Sequence, residues 1–170
     1  MKVVCETDRL IIRNLQLEDA EFIIRLLNEE SFIRYIADKN VRTKTDAQNY
    51  LLNGPLASYE SLGYGLNLVQ LKTTGTPIGM CGLLKRAELD HPDVGYAFLP
   101  EFCGMGFAYE ATLSILNDGV TTHSLQTILA VTSPDNLSSR ALLNKVGFNS
   151  IGEMQLYDSL NNVYEYRSQK

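Results

Sequence analysis

Hydrophobic positions along this chain fall into short runs whose spacing switches between two periods. Arg9-Leu10-Ile11-Ile12-Arg13 is a compact β-rich run, and after it Leu17, Ala20, Ile23, Ile24 and Leu27 recur at helical spacing. A strand followed by an amphipathic helix is predicted. The next helix opens at Thr43, with Asp46 in the capping-box position and Ala47, Tyr50 and Leu51 as its apolar stripe, and should end near Gly63. From Tyr64 the period changes. Tyr64–Leu71 and Pro77–Leu84 read as strands joined by the hairpin chemistry of Thr73-Thr74-Gly75-Thr76, and Asp93–Leu99 follows the polar loop around Asp90-His91-Pro92 as a third. Together these form an antiparallel meander.

Pro100 ends that strand, and the next helix buries Ala108, Ala111, Thr112, Ile115 and Leu116. A strand at Thr127–Thr132, a helix at Asn136–Val146 and strands at Phe148–Leu156 and Val163–Arg167 complete the chain. Gly147 is placed as a left-handed helix cap, with Phe148 packing back on Leu143. The resulting order, β-α-α-β-β-β-α-β-α-β-β, is mixed α/β. It contains no linker or repeat and predicts a single domain over residues 1–170.

Composition narrows the function classes. With 170 residues, 45% hydrophobic and 21% charged, disorder and fibrous architectures are excluded, and a chain this long buries roughly 70% of its extended surface. A net charge of −5 without a basic stripe argues against nucleic acid as a partner. The early charge in Met1-Lys2-Val3-Val4-Cys5-Glu6 and the lack of a long apolar run predict an unexported cytoplasmic protein that does not enter membranes. Cys5, Cys81 and Cys103 leave one thiol over under any pairing, as expected of reduced cysteines. With only His91 and His123 besides, no metal-ligand spacing exists, and no metal is expected.

Two segments could carry chemistry. Gly104-Met105-Gly106-Phe107-Ala108 joins a strand to a helix, where glycines allow either a tight turn or an anion cradle of backbone N–H groups. It is not a dinucleotide fingerprint, since the third glycine would fall at Tyr109, nor a P-loop, since no Gly-Lys-Ser/Thr follows. Asn136 and Ser139 open a helix just after a strand. They serve either as ordinary caps or as an amide and a hydroxyl presented to a cleft.

Taken together, the segment Glu101 to Glu110 followed by Asn136-x-x-Ser139-x-x-Leu142-Leu143-x-Lys145-x-Gly147-Phe148 resembles the GCN5-related N-acetyltransferase (GNAT) superfamily, in the branch of the ribosomal-protein N-terminal acetyltransferases. Glu6-Thr7-x-Arg9-Leu10-x-x-Arg13, Asp19-Ala20, Arg34-Tyr35-Ile36, Arg42-Thr43 with Asp46-Ala47, Tyr50-Leu51 and Asp93-Val94-Gly95-Tyr96 extend the resemblance over almost the whole chain. It implies the GNAT fold: a mostly antiparallel sheet with a splayed parallel pair at its centre and helices on both faces. It also implies acetyl-CoA as acetyl donor. The amides of Gly104, Met105, Gly106, Phe107 and Ala108 would meet the pyrophosphate, and the backbone of Phe98 and Leu99 the pantetheine arm. Asn136 and Ser139 would face the thioester, and Arg140 a CoA phosphate.

The chain departs from the family pattern at two positions. Glu101 stands where many members carry Gln or Arg and should point to solvent, and Leu143 stands where many carry a tyrosine general acid. Thiolate stabilisation then passes to Ser139. An amine with a pKa between about 8 and 10.4 must lose a proton before attack, and the candidate bases are Asp158, at the position resembling the branch's proposed carboxylate, and Asp93. The acceptor is an amine, either the α-amino group of a protein or peptide or a small molecule, and the protein acts as a monomer or homodimer. A non-catalytic acyl-CoA sensor and, more distantly, a nucleotide-binding domain are the rival readings.

Overall fold

The computed structural model describes residues 1–169. The chain runs through β1 (Val3–Glu6), β2 (Leu10–Asn14), α1 (Ala20–Leu27), α2 (Glu30–Tyr35), α3 (Lys44–Leu51), α4 (Ala57–Leu62), β3 (Leu66–Leu71), β4 (Pro77–Leu84) and β5 (Asp93–Phe98). It continues with α5 (Phe107–Thr121), β6 (Thr127–Thr132), α6 (Leu137–Val146), β7 (Asn149–Leu156) and β8 (Ser159–Arg167). All eight strands belong to one sheet in the order β1-β2-β3-β4-β5-β6-β8-β7. Every neighbouring pair is antiparallel except β5 and β6.

Local signals explain much of this. Thr43 caps α3 and Asp46 completes the box by accepting from the Thr43 N–H. The helix expected to run on to Gly63 is interrupted by a π-helical turn at Leu52–Leu56, where Pro55 lacks an N–H for the helical ladder, and resumes as α4. Gly63 then ends it in the left-handed conformation. At the other end of the chain, Gly147 adopts φ 106° and the Phe148 N–H donates to Leu143 O at 2.9 Å, the Schellman closure. Three elements were not anticipated: β1, short α2, and the first half of β8. Ser159–Asn162 is too polar to signal a strand and is held there by pairing with β7.

The sheet separates two cores. Ile12, Val69, Cys81, Leu83 and Val94 pack with Ala111, Ile115 and Leu143 under α5 and α6. On the other face Leu68, Met80 and Leu99 pack with Ile23, Leu27, Ala47 and Leu51 from α1 and α3. Helices therefore cover both faces, and the centre of the sheet, where β5 meets β6, is left as the place where something can enter.

Candidate active site

β5 and β6 share one paired position, Asp93 with Leu129, next to the bond from the Leu129 N–H to Pro92 O at 2.8 Å. Beyond it the strands part. The Leu99 N–H donates to Ile78 O at 2.9 Å, so residues 78 and 99 form a hydrogen-bonded pair, and antiparallel alternation turns the backbones of Tyr96 and Phe98 away from β4, into the gap. This corrects the expectation for Leu99, whose carbonyl is also taken, by the Phe102 N–H at 3.0 Å. The backbone groups left facing the gap are those of Tyr96 and Phe98, the Phe98 carbonyl 4.0 Å from Cys103 Sγ, and they are oriented to take a strand-like partner.

At the open end, Gly104 and Gly106 adopt φ 79° and 82°, conformations that side chains resist, and Gly106 is the N-cap of α5. A Cβ at Gly104 would meet nothing within 4 Å, so its need for glycine is conformational and its surroundings are open. The first-turn amides of α5 have no intrahelical acceptors and lie at the positive end of the helix dipole, which suits an anion. Glu101 is exposed, as expected, and its carboxylate is engaged by Arg25.

Arg9, in the turn between β1 and β2, clamps this loop. Its Nη1 donates to Met105 O at 3.0 Å, its Nε to Glu110 Oε1 at 2.8 Å, and its guanidinium lies 4.3 Å from the centre of the Phe107 ring. The partly exposed pair contributes about 1 kcal/mol, so Arg9→Ala should weaken CoA binding about fivefold by leaving the loop to be ordered on binding. Isothermal calorimetry checks this, and an unchanged dissociation constant would remove the clamp from the account.

Across the gap, the side chain of Asn136 accepts from the Ser139 N–H at 3.3 Å, which is ordinary capping. Among the described residues nothing accepts from its Nδ2. Ser139 is 9% exposed, and its Oγ lies 2.6 Å from the Tyr96 hydroxyl. Arg140 folds back, donating to Pro134 O at 3.1 Å. Leu143 is buried in the core beneath α6.

The two candidate carboxylates sit in opposite environments. Asp158 is exposed at the tip of the β7–β8 hairpin, where Tyr157 and Asp158 have φ 51° and 65°, the two-residue turn that matches strand twist. Asp93 has no exposed side-chain surface. Arg86 Nη2 is 3.1 Å from its Oδ2, but neither carboxylate oxygen has an aligned hydrogen-bond donor. The Arg86 guanidinium in turn lies 5.9 Å from the Tyr157 ring centre, so the three residues link the hairpin tip to the closed end of the gap.

Burial pushes the Asp93 carboxyl up to about 6, against the pull of Arg86. The folded state thus holds the proton more tightly than the unfolded chain. The cost, roughly 3 kcal/mol, is absent below about pH 4, grows between about 4 and 6, and is complete above that. Asp93→Asn should therefore raise Tm at about pH 7.5 and lose most of that advantage at about pH 4.5. A thermal-unfolding difference independent of pH would refute this.

Residues 9–149 match the model of the acetyltransferase (GNAT) domain. The chain belongs to the GNAT acetyltransferase family. A relative from Bacillus subtilis (strain 168), the uncharacterized N-acetyltransferase YoaA, is 29% identical over 155 residues, 91% of this chain and 87% of that one. An acetyltransferase from Agrobacterium tumefaciens str. C58 superposes with a TM-score of 0.83 at 21% identity, covering 96% of this chain and 94% of the other. RimL, the ribosomal L7/L12 alpha-N-protein acetyltransferase solved with coenzyme A, gives 0.83 at 13% identity, with 98% of each chain covered.

As a GNAT member the protein is an acetyl-CoA-dependent N-acetyltransferase that takes an amine acceptor. The residues fit that donor: the gap leaves strand-like backbone unpaired for an extended pantetheine, and the glycine loop ends on free helix amides for a pyrophosphate. Among the described residues no group of three or more His, Cys, Asp or Glu could hold a metal, and no helix is long and apolar enough to cross a membrane.

Sequence reasoning named the loop, Asn136, Ser139 and both carboxylates but assigned no role to Arg9, Arg86 or Tyr96. The signal for Arg9 was present, in a β-turn arginine paired with an acid on the first turn of α5. None existed for Arg86, whose place depends on the loop from 85 to 92. His123 lies outside the gap, stacking edge-on with Tyr64 and 3.6 Å from Asp118, whereas the exposed Cys103 borders the site, next to Gly104, with its Sγ 3.5 Å from Leu99 O and 4.0 Å from Phe98 O.

Proposed function

We propose that this acetyltransferase modifies the α-amino group of a protein or peptide. The observation that carries this reading is the openness of the acceptor end: the Tyr157 ring is 68% exposed, Asp158 stands beside it at the hairpin tip, and a chain terminus projecting from a larger body can approach there.

Acetyl-CoA supplies an activated acetyl thioester. The backbones of Tyr96 and Phe98 would hold its pantetheine arm as an added strand, and the amides from Gly104 to Ala108 its pyrophosphate, while Arg140 would have to turn from Pro134 O to reach a phosphate. Holding both partners in the gap supplies much of the rate through orientation. Asn136 Nδ2 and the Ser139 hydroxyl face the thioester, where Ser139 Oγ donates to the sulfur position as negative charge develops there. Asp158 orients the incoming ammonium and takes its proton through water, while the buried Asp93 fixes Arg86 and the adjoining loop.

The assignment is tested by mass spectrometry of a mixed library of peptides and small amines after incubation with enzyme and acetyl-CoA. One acetyl group on peptide α-amines supports it, labelling confined to small amines replaces it, and CoA binding without thiol release on any acceptor turns the protein into an acyl-CoA sensor. Asp158→Asn should remove or shift the acidic limb of the kcat/KM profile. If that limb survives there and disappears in Asp93→Asn, the base is Asp93. If it survives in both, the amine is deprotonated in solution.

A further inference from the structure

The hydrogen bond between Tyr96 and Ser139 crosses the gap. Tyr96 stands on β5 with its backbone turned into the opening, and Ser139 stands on the first turn of α6, reached from the end of β6, so the 2.6 Å contact joins the two arms that otherwise part. Each hydroxyl carries one proton. If Ser139 gave its proton to Tyr96, it would have none to offer in the gap, whereas donation by Tyr96 satisfies both and leaves the serine proton free.

We propose that Tyr96 is a positioning residue for acetyl transfer: its phenol donates to Ser139 Oγ and so aims the serine proton at the sulfur of the donor. This rests on the Ser139 assignment above. A proton relay is the competing use of the same pair, and the energetics decide against it. Burial pushes the Tyr96 phenol up to about 12, while an ordinary thiol ionises at about 8.5, so passing the phenol proton to a thiolate is unfavourable by about three orders of magnitude. Both hydroxyls therefore keep their protons. As the carbon–sulfur bond breaks and the carbon–nitrogen bond forms, the electron pair stays on sulfur under a hydrogen bond from Ser139, and the amine proton leaves through Asp158 or water. Donation by Tyr96 polarises the serine O–H and strengthens that bond.

The test uses Tyr96→Phe, which keeps the ring and loses the hydroxyl, with Ser139→Ala and the double variant, all compared per folded molecule. Thiolate absorbance of bound CoA is followed against pH. A hydrogen bond to the charged form lowers its pKa, so the bound thiol should titrate lower in the wild type than in either single variant. Steady-state kinetics should show kcat reduced about tenfold in Tyr96→Phe with KM for acetyl-CoA within about twofold, and no further loss when Tyr96→Phe is added to Ser139→Ala. If Ser139→Ala changes neither thiol titration nor kcat, the serine assignment fails and this inference with it. If Ser139→Ala has its effect but Tyr96→Phe leaves the titration at the wild-type value, or the two losses multiply, the positioning role alone is overturned.

Discussion

Replacing Gly106 with valine is expected to weaken CoA binding more than tenfold. The residue holds φ 82°, which a β-branched side chain disfavours by roughly 1–2 kcal/mol, and tenfold corresponds to about 1.4 kcal/mol. Two effects then act together. The added Cβ would lie 3.3 Å from Arg9 Nη2, pressing on the guanidinium that holds Met105 O and Glu110, and the branched methyls would stand beside the amides proposed to meet the pyrophosphate. Gly104 provides the contrast, since its left-handed backbone is equally demanding but a Cβ there meets nothing, so Gly104→Ala should lose less. Calorimetry on variants with wild-type circular dichroism checks both, and an unchanged affinity for Gly106→Val would mean that the loop does not contact the cofactor.

Ser139→Ala is expected to lower kcat about 10²-fold with KM for acetyl-CoA within about twofold, the pattern of an interaction made mainly in the transition state. Capping survives the change because Asn136 accepts from the backbone N–H of residue 139, which alanine retains. The Tyr96 hydroxyl, however, loses its partner in a mostly buried position, at a cost of about 1–3 kcal/mol in stability. Activity must therefore be scaled to the folded fraction by thermal unfolding. A variant that loses Tm but keeps kcat would assign Ser139 to the core and not to the chemistry.

The glycine loop, the Asn136 cap and the Gly147 closure were readable because each depends on residues within four or five positions of one another. The Leu99 assignment failed for the complementary reason. A strand's two edges look alike in sequence, and which one faces the gap is settled by the pairing of residue 99 with residue 78 on β4. Asp93 shows the same limit in electrostatics: its sequence neighbours are ordinary, and its raised carboxyl pKa arises from complete burial beside Arg86.

By itself the sequence determined the mixed α/β order, most helix ends and the glycine turn before α5, all of them consequences of local backbone preference and periodicity, while the departure at Leu143 was legible only through the family resemblance. Only the tertiary structure decided where those pieces meet. Arg9 reaches Met105 across 96 positions and Tyr96 reaches Ser139 across 43, contacts created by sheet register and by the parting of β5 from β6. Such contacts depend on how packed strands align and diverge, a cooperative property of the whole sheet that no local run of residues encodes.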